Sequence, residues 1–201
     1  MSDEKESEEE ISAPEDLMRE HGVLNRILLV YDEAVARLTA GQDIPPEVIQ
    51  KPATLARKFV EDYHERLEEN FVFPRFEKKG TLVDLVAVLR KQHDAGRRLT
   101  DRILQLSAPR EFVKDGSRQE IVRHCSAYVR MYRPHEARED TVLFPTLYKI
   151  AGSHEVKELG EQFEEQEHRL FGEGGFDKTV EEVAAIERRL GIHDLSQFTP
   201  K

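Results

Sequence analysis

The chain has 201 residues, enough for one domain with a sizeable core or two small ones. Charged residues make up 35% of it, yet apolar residues reach 38% and recur at helical intervals, which excludes extended low-complexity disorder and points to a soluble, polar helical protein. A formal charge of −10 supplies none of the concentrated basic surface that phosphate neutralisation needs, so nucleic-acid binding is set aside.

The first ten residues, MSDEKESEEE, carry six acids against one lysine, half of the chain's acidic excess. Residues 1–12 are expected to form an acidic, disordered tail. A signal peptide would be basic there, and the longest apolar run, Ile27 to Val30, is far short of the roughly 20 residues of a spanning helix. No membrane partner and a cytoplasmic location are therefore expected.

Ser12-Ala-Pro-Glu15 has the form of a capping box with proline early in the helix. It opens a helix over 13–40 whose apolar seam is Leu17, His21, Leu24, Leu28, Tyr31, Val35 and Leu38, in steps of three and four. A turn at 41–46 leads to a second helix, 46–79, with the seam Val60, His64, Leu67 and Phe71. A third helix, 81–107, lines up Leu82, Val86, Leu89, His93 and Ile103. After a loop containing proline and glycine, a fourth helix over 117–151 presents Ile121, Cys125, Tyr128, Tyr132, His135, Glu139 and Val142, with a kink expected at Pro134. The single cysteine, Cys125, has apolar helical neighbours and reads as packing.

Each of the four seams is interrupted by a histidine, and the chain repeats itself. His21 and His93 are 72 residues apart, while His64 and His135, Glu68 and Glu139, and Pro74 and Pro145 are each 71 apart. The text matches too: His64-Glu-Arg-Leu-Glu68 ends in Phe73-Pro74, and His135-Glu-Ala-Arg-Glu139 ends in Phe144-Pro145. The pattern describes an all-α, up-down four-helix bundle made of a duplicated helical hairpin over 13–151, with a helical extension over 152–201 packed on it.

One histidine on an apolar stripe is ordinarily a satisfied core residue. Burying four imidazoles and two carboxylates without partners would cost several kcal/mol, at roughly 1–3 kcal/mol per unsatisfied group and more for charges, so something must compensate them. A His and a Glu at i and i+4 project from one helix face, one turn apart, and can reach the same cation in the bundle axis. Up-down topology places His64, His93 and His135 about 12 to 16 residues from one end of the bundle, and His21 about a turn lower, so six ligands can converge. His154 and Glu158 share the spacing but have no counterpart elsewhere and read as a solvated pair. His124 and His193 likewise lack partners.

This order of residues resembles the hemerythrin-like, or HHE cation-binding, family, whose pattern is H, HxxxE, H and HxxxE on four helices. The resemblance covers about residues 15 to 150. It implies metal ligands at His21, His64, Glu68, His93, His135 and Glu139, two non-haem iron ions bridged by Glu68, Glu139 and an oxo or hydroxo group, and reversible attack of O2 at an open iron position. Oxygen-carrying members have a second histidine on the third helix where this chain has Arg97. One ligand fewer opens coordination sites and moves the expected chemistry beyond O2 carriage, towards NO or peroxide.

A fifth helix, 154–171, with the stripe Val156, Leu159, Phe163 and Leu170, can bring an extra metal ligand to the level of the site. Glu167 borders the stripe and His168 points away from it, which makes Glu167 the better inward candidate. Gly172, Gly174 and Gly175 form a helix break and not a phosphate loop, since no GK[ST] follows. A last amphipathic helix, 176–190, uses Val180, Val183, Ala184 and Ile186 to cover the bundle or a second copy of the chain. The expected function is binding of O2, NO or peroxide at a di-iron centre. The alternatives are an iron- or oxygen-sensing module ordered by metal and a peroxide-consuming protein. An enzyme acting on an organic substrate stays open, although no nucleophile and base pair is apparent. Tyr63, Tyr128 and Tyr132 fall near the ligands and are expected to stack in the core or to hydrogen-bond a bridging oxygen.

Overall fold

The computed structural model describes residues 11–200, so all but the last two positions of the expected acidic tail lie outside the described residues. Helix α1 (Ala13–Thr39) begins where the sequence places it, with the Glu15 carboxylate accepting from the Ser12 backbone N–H at 3.1 Å. The next helical run contains α2 (Glu47–Leu55), α3 (Glu65–Leu67) and α4 (Phe73–Lys79), joined by π-helical segments at Ala56–His64 and Glu68–Val72. It stops at Gly80, whose φ of 65° is the left-handed conformation that glycine adopts freely. Leu82 is also left-handed, at φ 51°, so α5 (Val83–Ser107) starts two residues later than the sequence suggests.

The loop after α5 holds a short helix, α6 (Pro109–Phe112). Then α7 (Ser117–Arg138), a π-helical segment (Glu139–Leu143) and α8 (Phe144–Phe171) form one long run. The chain stays helical across Pro134, and the backbone break falls instead at Gly152, with φ 79° and ψ 163°. Helix α9 (Gly175–Leu190) and a 3-10 turn (Leu195–Phe198) follow. No strand occurs among the described residues, and none of their helices is long and apolar enough to cross a membrane. Helices α1, α2, α5 and α7 close a four-membered ring of contacts, with α8 and α9 packed against α1.

The two Phe-Pro sequences account for two of the π-segments. Proline inside a helix lacks an N–H and crowds the carbonyl four residues back, and widening the preceding turn relieves both problems. The Phe73 N–H accordingly bonds the Glu68 carbonyl and the Phe144 N–H the Glu139 carbonyl, each five residues back. The widened turn inserts one residue and rotates the stripe by one position. Val72 and Phe73 are therefore buried in place of the expected Phe71, and Leu143 and Phe144 in place of Val142. A similar departure ends the stripe of α8, where Leu170 is 52% exposed and Phe171 packs on Phe59 and Tyr63.

Gly160 of α8 lies against the start of α1. A β-carbon there would fall 2.8 Å from the Ile11 carbonyl oxygen and 3.3 Å from the Ala13 nitrogen, both backbone atoms that cannot swing aside. Gly160→Ala is expected to cost about 1–3 kcal/mol by overpacking, read in a thermal melt as a Tm lower by about 2–10 °C. An unchanged melt would show that α8 does not clamp the start of α1.

Candidate metal centre

The six residues singled out by the repeat meet in the middle of the ring. His21 comes from α1, His64 and Glu68 from the widened stretch between α2 and α4, His93 from α5, His135 from α7, and Glu139 from the π-turn that follows it. All are buried, with Glu68, His93 and Glu139 fully enclosed. They form two groups whose ligand atoms lie within 4.8 Å of one another: Glu68, His93, His135 and Glu139 in one, and His21, His64 and Glu68 in the other. Each carboxylate sits between imidazoles of both repeats. Glu68 Oε2 is 3.4 Å from His93 Nε2 and 3.7 Å from His64 Nε2. Glu139 lies 3.1 Å from His135 Nε2 and 3.5 Å from His21 Nε2.

Every one of the four rings is held by its other nitrogen. His21 Nδ1 lies 2.7 Å from Asp140, His64 Nδ1 2.6 Å from Glu20, His93 Nδ1 3.0 Å from Glu69 and His135 Nδ1 2.9 Å from Oε1 of the Gln92 side-chain amide. These acceptors take the proton at Nδ1 of each neutral ring, which turns the four Nε2 atoms inward towards the two carboxylates, with His93 Nε2 and His135 Nε2 3.3 Å apart. This holding layer is duplicated like the ligands: Glu20 and Gln92 each precede a ligand histidine, while Glu69 and Asp140 each follow a ligand glutamate. Phe144 stacks on His21 and Phe73 on His93, at centroid separations of 5.6 and 5.4 Å. The pairing could have been found by extending the repeat one residue on either side of each ligand.

Arg97 shows what replaces the missing histidine. Its guanidinium lies 2.7 Å from Glu69 and 2.8 Å from Glu65, so it grips the acid that positions His93. Glu65 in turn accepts from the Tyr132 hydroxyl at 2.5 Å. Despite its half-burial, His93 and Arg97 hold Glu69 down at about 2. Tyr132 stacks on Tyr128 with centroids 4.4 Å apart, and Tyr63 packs against Phe59 and Phe171.

Both oxygens of Glu68 and of Glu139 are buried without a hydrogen-bond partner, as is His21 Nε2. With no cation between them, protons compensate. Burial and the neighbouring Glu139 push Glu68 well above the usual carboxylate range. Burial also opposes the charge of Glu139, yet His135 and His21 hold it well below that range. Burial pushes His64 well below its ordinary value and His93 down to about 4, whereas the Asp140 and Glu139 carboxylates override burial and lift His21 to about 10. Six buried donor side chains converging on one another suit metal binding better than a set of protons.

The structure does not bring Glu167 and His168 to this centre. Glu167 accepts from the Phe176 backbone N–H at 2.7 Å and faces Asp16 and Glu20, while His168 is exposed, because the helix turns that side away from the core. His154 is exposed, 4.0 Å from Glu158. His193, expected to stand alone, lies 3.1 Å from Glu187.

The buried acids fix how the metal-free protein responds to pH. Burial raises Glu20 and Glu65 to about 8, and Asp16, Glu61 and Glu136 to about 7, from ordinary values near 4. With His21 also raised, the folded chain binds these protons more tightly than the unfolded chain, so stability is lost as pH rises through their folded values. His64 and His93, which are depressed, act in the opposite sense but mainly below about pH 6.5. Metal-stripped protein is expected to melt several degrees lower at about pH 8.5 than at about pH 7. A flat or rising Tm across that window would contradict this assignment of buried acids.

A family model described as the hemerythrin HHE cation binding domain matches residues 12–110, a span that includes His21, His64, Glu68 and His93. Over 195 residues the chain is 50% identical to "Uncharacterized protein Rv1995" of Mycobacterium tuberculosis, covering 97% of this chain and 76% of the relative. The same values hold for "Uncharacterized protein Mb2018" of Mycobacterium bovis. No solved structure matches the chain. With a helical bundle closing on a buried His/Glu cluster, the chain belongs to the hemerythrin HHE cation-binding family.

Proposed function

We propose that His21, His64, Glu68, His93, His135 and Glu139 hold two iron ions, with Glu68 and Glu139 shared between them, and that the centre binds O2 or a related small ligand such as NO or peroxide. The observation that carries this reading is the pair of fully buried, unpartnered carboxylates set between imidazoles of both repeats. One cation would take His21 and His64 and the other His93 and His135, which leaves each short of a full six-coordinate shell and open to a diatomic ligand. Four imidazoles and two carboxylates suit a metal that changes between Fe(II) and Fe(III). Bound iron would supply the electrons for reversible capture or reduction of the ligand.

The chain's own part is positional. Asp140, Glu20, Glu69 and Gln92 fix the rings with Nε2 inward and make them better donors. Phe73 and Phe144 stack on two of the rings, and the surrounding helices exclude water from the middle of the bundle. The same burial couples metal to folding, which supports a regulatory role as the second reading, since apoprotein must keep these acids protonated in its core.

Reconstitution with ferrous iron in the absence of oxygen, followed by metal quantitation, is expected to give two irons per chain and an oxygen-dependent visible spectrum. Glu69→Ala keeps all six ligands but frees His93 and leaves Arg97 to Glu65 alone among the buried acids, and should weaken iron binding about 10–100-fold. A chain that takes up no iron, or a Glu69→Ala variant with unaltered affinity, would overturn the proposal or the role of Glu69 respectively.

A further inference from the structure

Next to the centre, on its α8 side, stands a group of three acids of which the metal reading uses only Glu20, and that only to hold the ring of His64. Asp16 and Glu20 of α1 and Glu167 of α8 offer carboxylate oxygens within 4.8 Å of one another. Asp16 and Glu20 are buried, at 6% and 2% exposure. Glu20 gives one oxygen to His64 Nδ1, and its other oxygen is buried without a partner. The Tyr63 hydroxyl, on a residue only 1% exposed, faces Glu20 without a hydrogen bond of ordinary geometry, and Glu20, Asp16 and Glu167 are the charges that surround it. Arg19 is the guanidinium beside the group, 2.8 Å from Asp16 and 3.8 Å from Glu167, one positive charge against three carboxylates.

The group does not end in the core. Asp16 and Glu167 line a cavity of about 460 Å³ that opens to solvent, and Glu161, Glu164, Glu173 and Asp177 line its walls together with the cations Arg19 and Lys157. A cleft lined mainly by one sign of charge concentrates counter-ions. Oxygen-only donors in this number, without imidazole or thiol, select hard cations over soft ones.

We propose that Asp16, Glu20 and Glu167, with the Tyr63 hydroxyl, form a third cation site for a hard divalent ion such as Fe2+ or Mn2+, from which ions pass to the buried His/Glu centre. Glu20 belongs to both places: one oxygen faces this site and the other holds the ring of His64. A cation bound here sits one side chain from the first ligand it would meet, at the inner end of an acidic approach. The site itself stands on its own geometry, while its delivery role rests on the reading of the centre as metal-holding.

Tb3+ serves as a hard-cation probe, because tyrosine within contact distance sensitises its emission and the chain has no tryptophan. Tyrosine-excited Tb3+ emission of the full, metal-stripped chain is expected to saturate, to fall at least about tenfold in Glu167→Gln and Tyr63→Phe, and to persist in His93→Ala. Glu167→Gln retains the oxygen that accepts from Phe176, and Asp16→Asn provides an independent variant should helicity by circular dichroism show that the first misfolds. Absent emission in the wild-type chain, emission unchanged in correctly folded Glu167→Gln and Asp16→Asn, or emission lost in His93→Ala would overturn the site. Anaerobic Fe2+ uptake by the buried centre should slow at least about tenfold in Glu167→Gln and still reach two irons per chain; an unchanged rate would overturn delivery. Should the centre take up no iron in any variant while the Tb3+ signal stands, the reading of the centre fails and the third site survives.

Discussion

Two carboxylates with no hydrogen-bond partner, sealed among four imidazoles, are the constraint around which this bundle is arranged. Leaving such groups uncompensated costs far more than an ordinary core mismatch, because each buried acceptor forfeits water and gains nothing. The fold answers by fixing the outward nitrogen of each ring, so that the inward atoms cannot relax by rotating away. A charge supplied from outside, whether protons or metal, then becomes part of the stability of the core.

The backbone contributes to this as directly as the side chains. An α-helix with an unbroken pattern would bring the residues after each ligand glutamate to the core in a different order. The Phe-Pro pair forces a wider turn that begins at Glu68 and at Glu139, and the following phenylalanine swings in to cover a histidine of the other helix. The proline that is unfavourable for regular helix thus places the apolar lid over the rings.

Much of this was legible in the sequence because duplication prints the same spacing twice. His64 and Glu68 alone would be an ordinary i, i+4 pair, no different from His154 and Glu158; their recurrence at His135 and Glu139, with histidines on two further seams, separates the buried His/Glu cluster from coincidence. The places where reading failed share a cause. Phe71, Val142 and Leu170 were assigned to stripes on the assumption of 3.6 residues per turn, which the π-turns and the end of α8 do not obey. Glu167 was placed by helical phase alone, and phase says nothing about which neighbouring helix a side chain meets. For Glu20, Gln92, Glu69 and Asp140 the repeat marks the positions, flanking each histidine or glutamate, but adjacent residues on a helix point in different directions, and the packed bundle shows which ring on another helix each one reaches.

The outer layer that holds the rings is copied in position but not in chemistry. Behind His21 and His64 stand two acids, Asp140 and Glu20, whereas behind His93 and His135 stand Glu69, already claimed by Arg97, and the amide of Gln92. A twofold shape therefore encloses a lopsided field, more electron-rich at one end than at the other. The two ends of such a cage are not interchangeable, and an inherited symmetry acquires a polarity along its length.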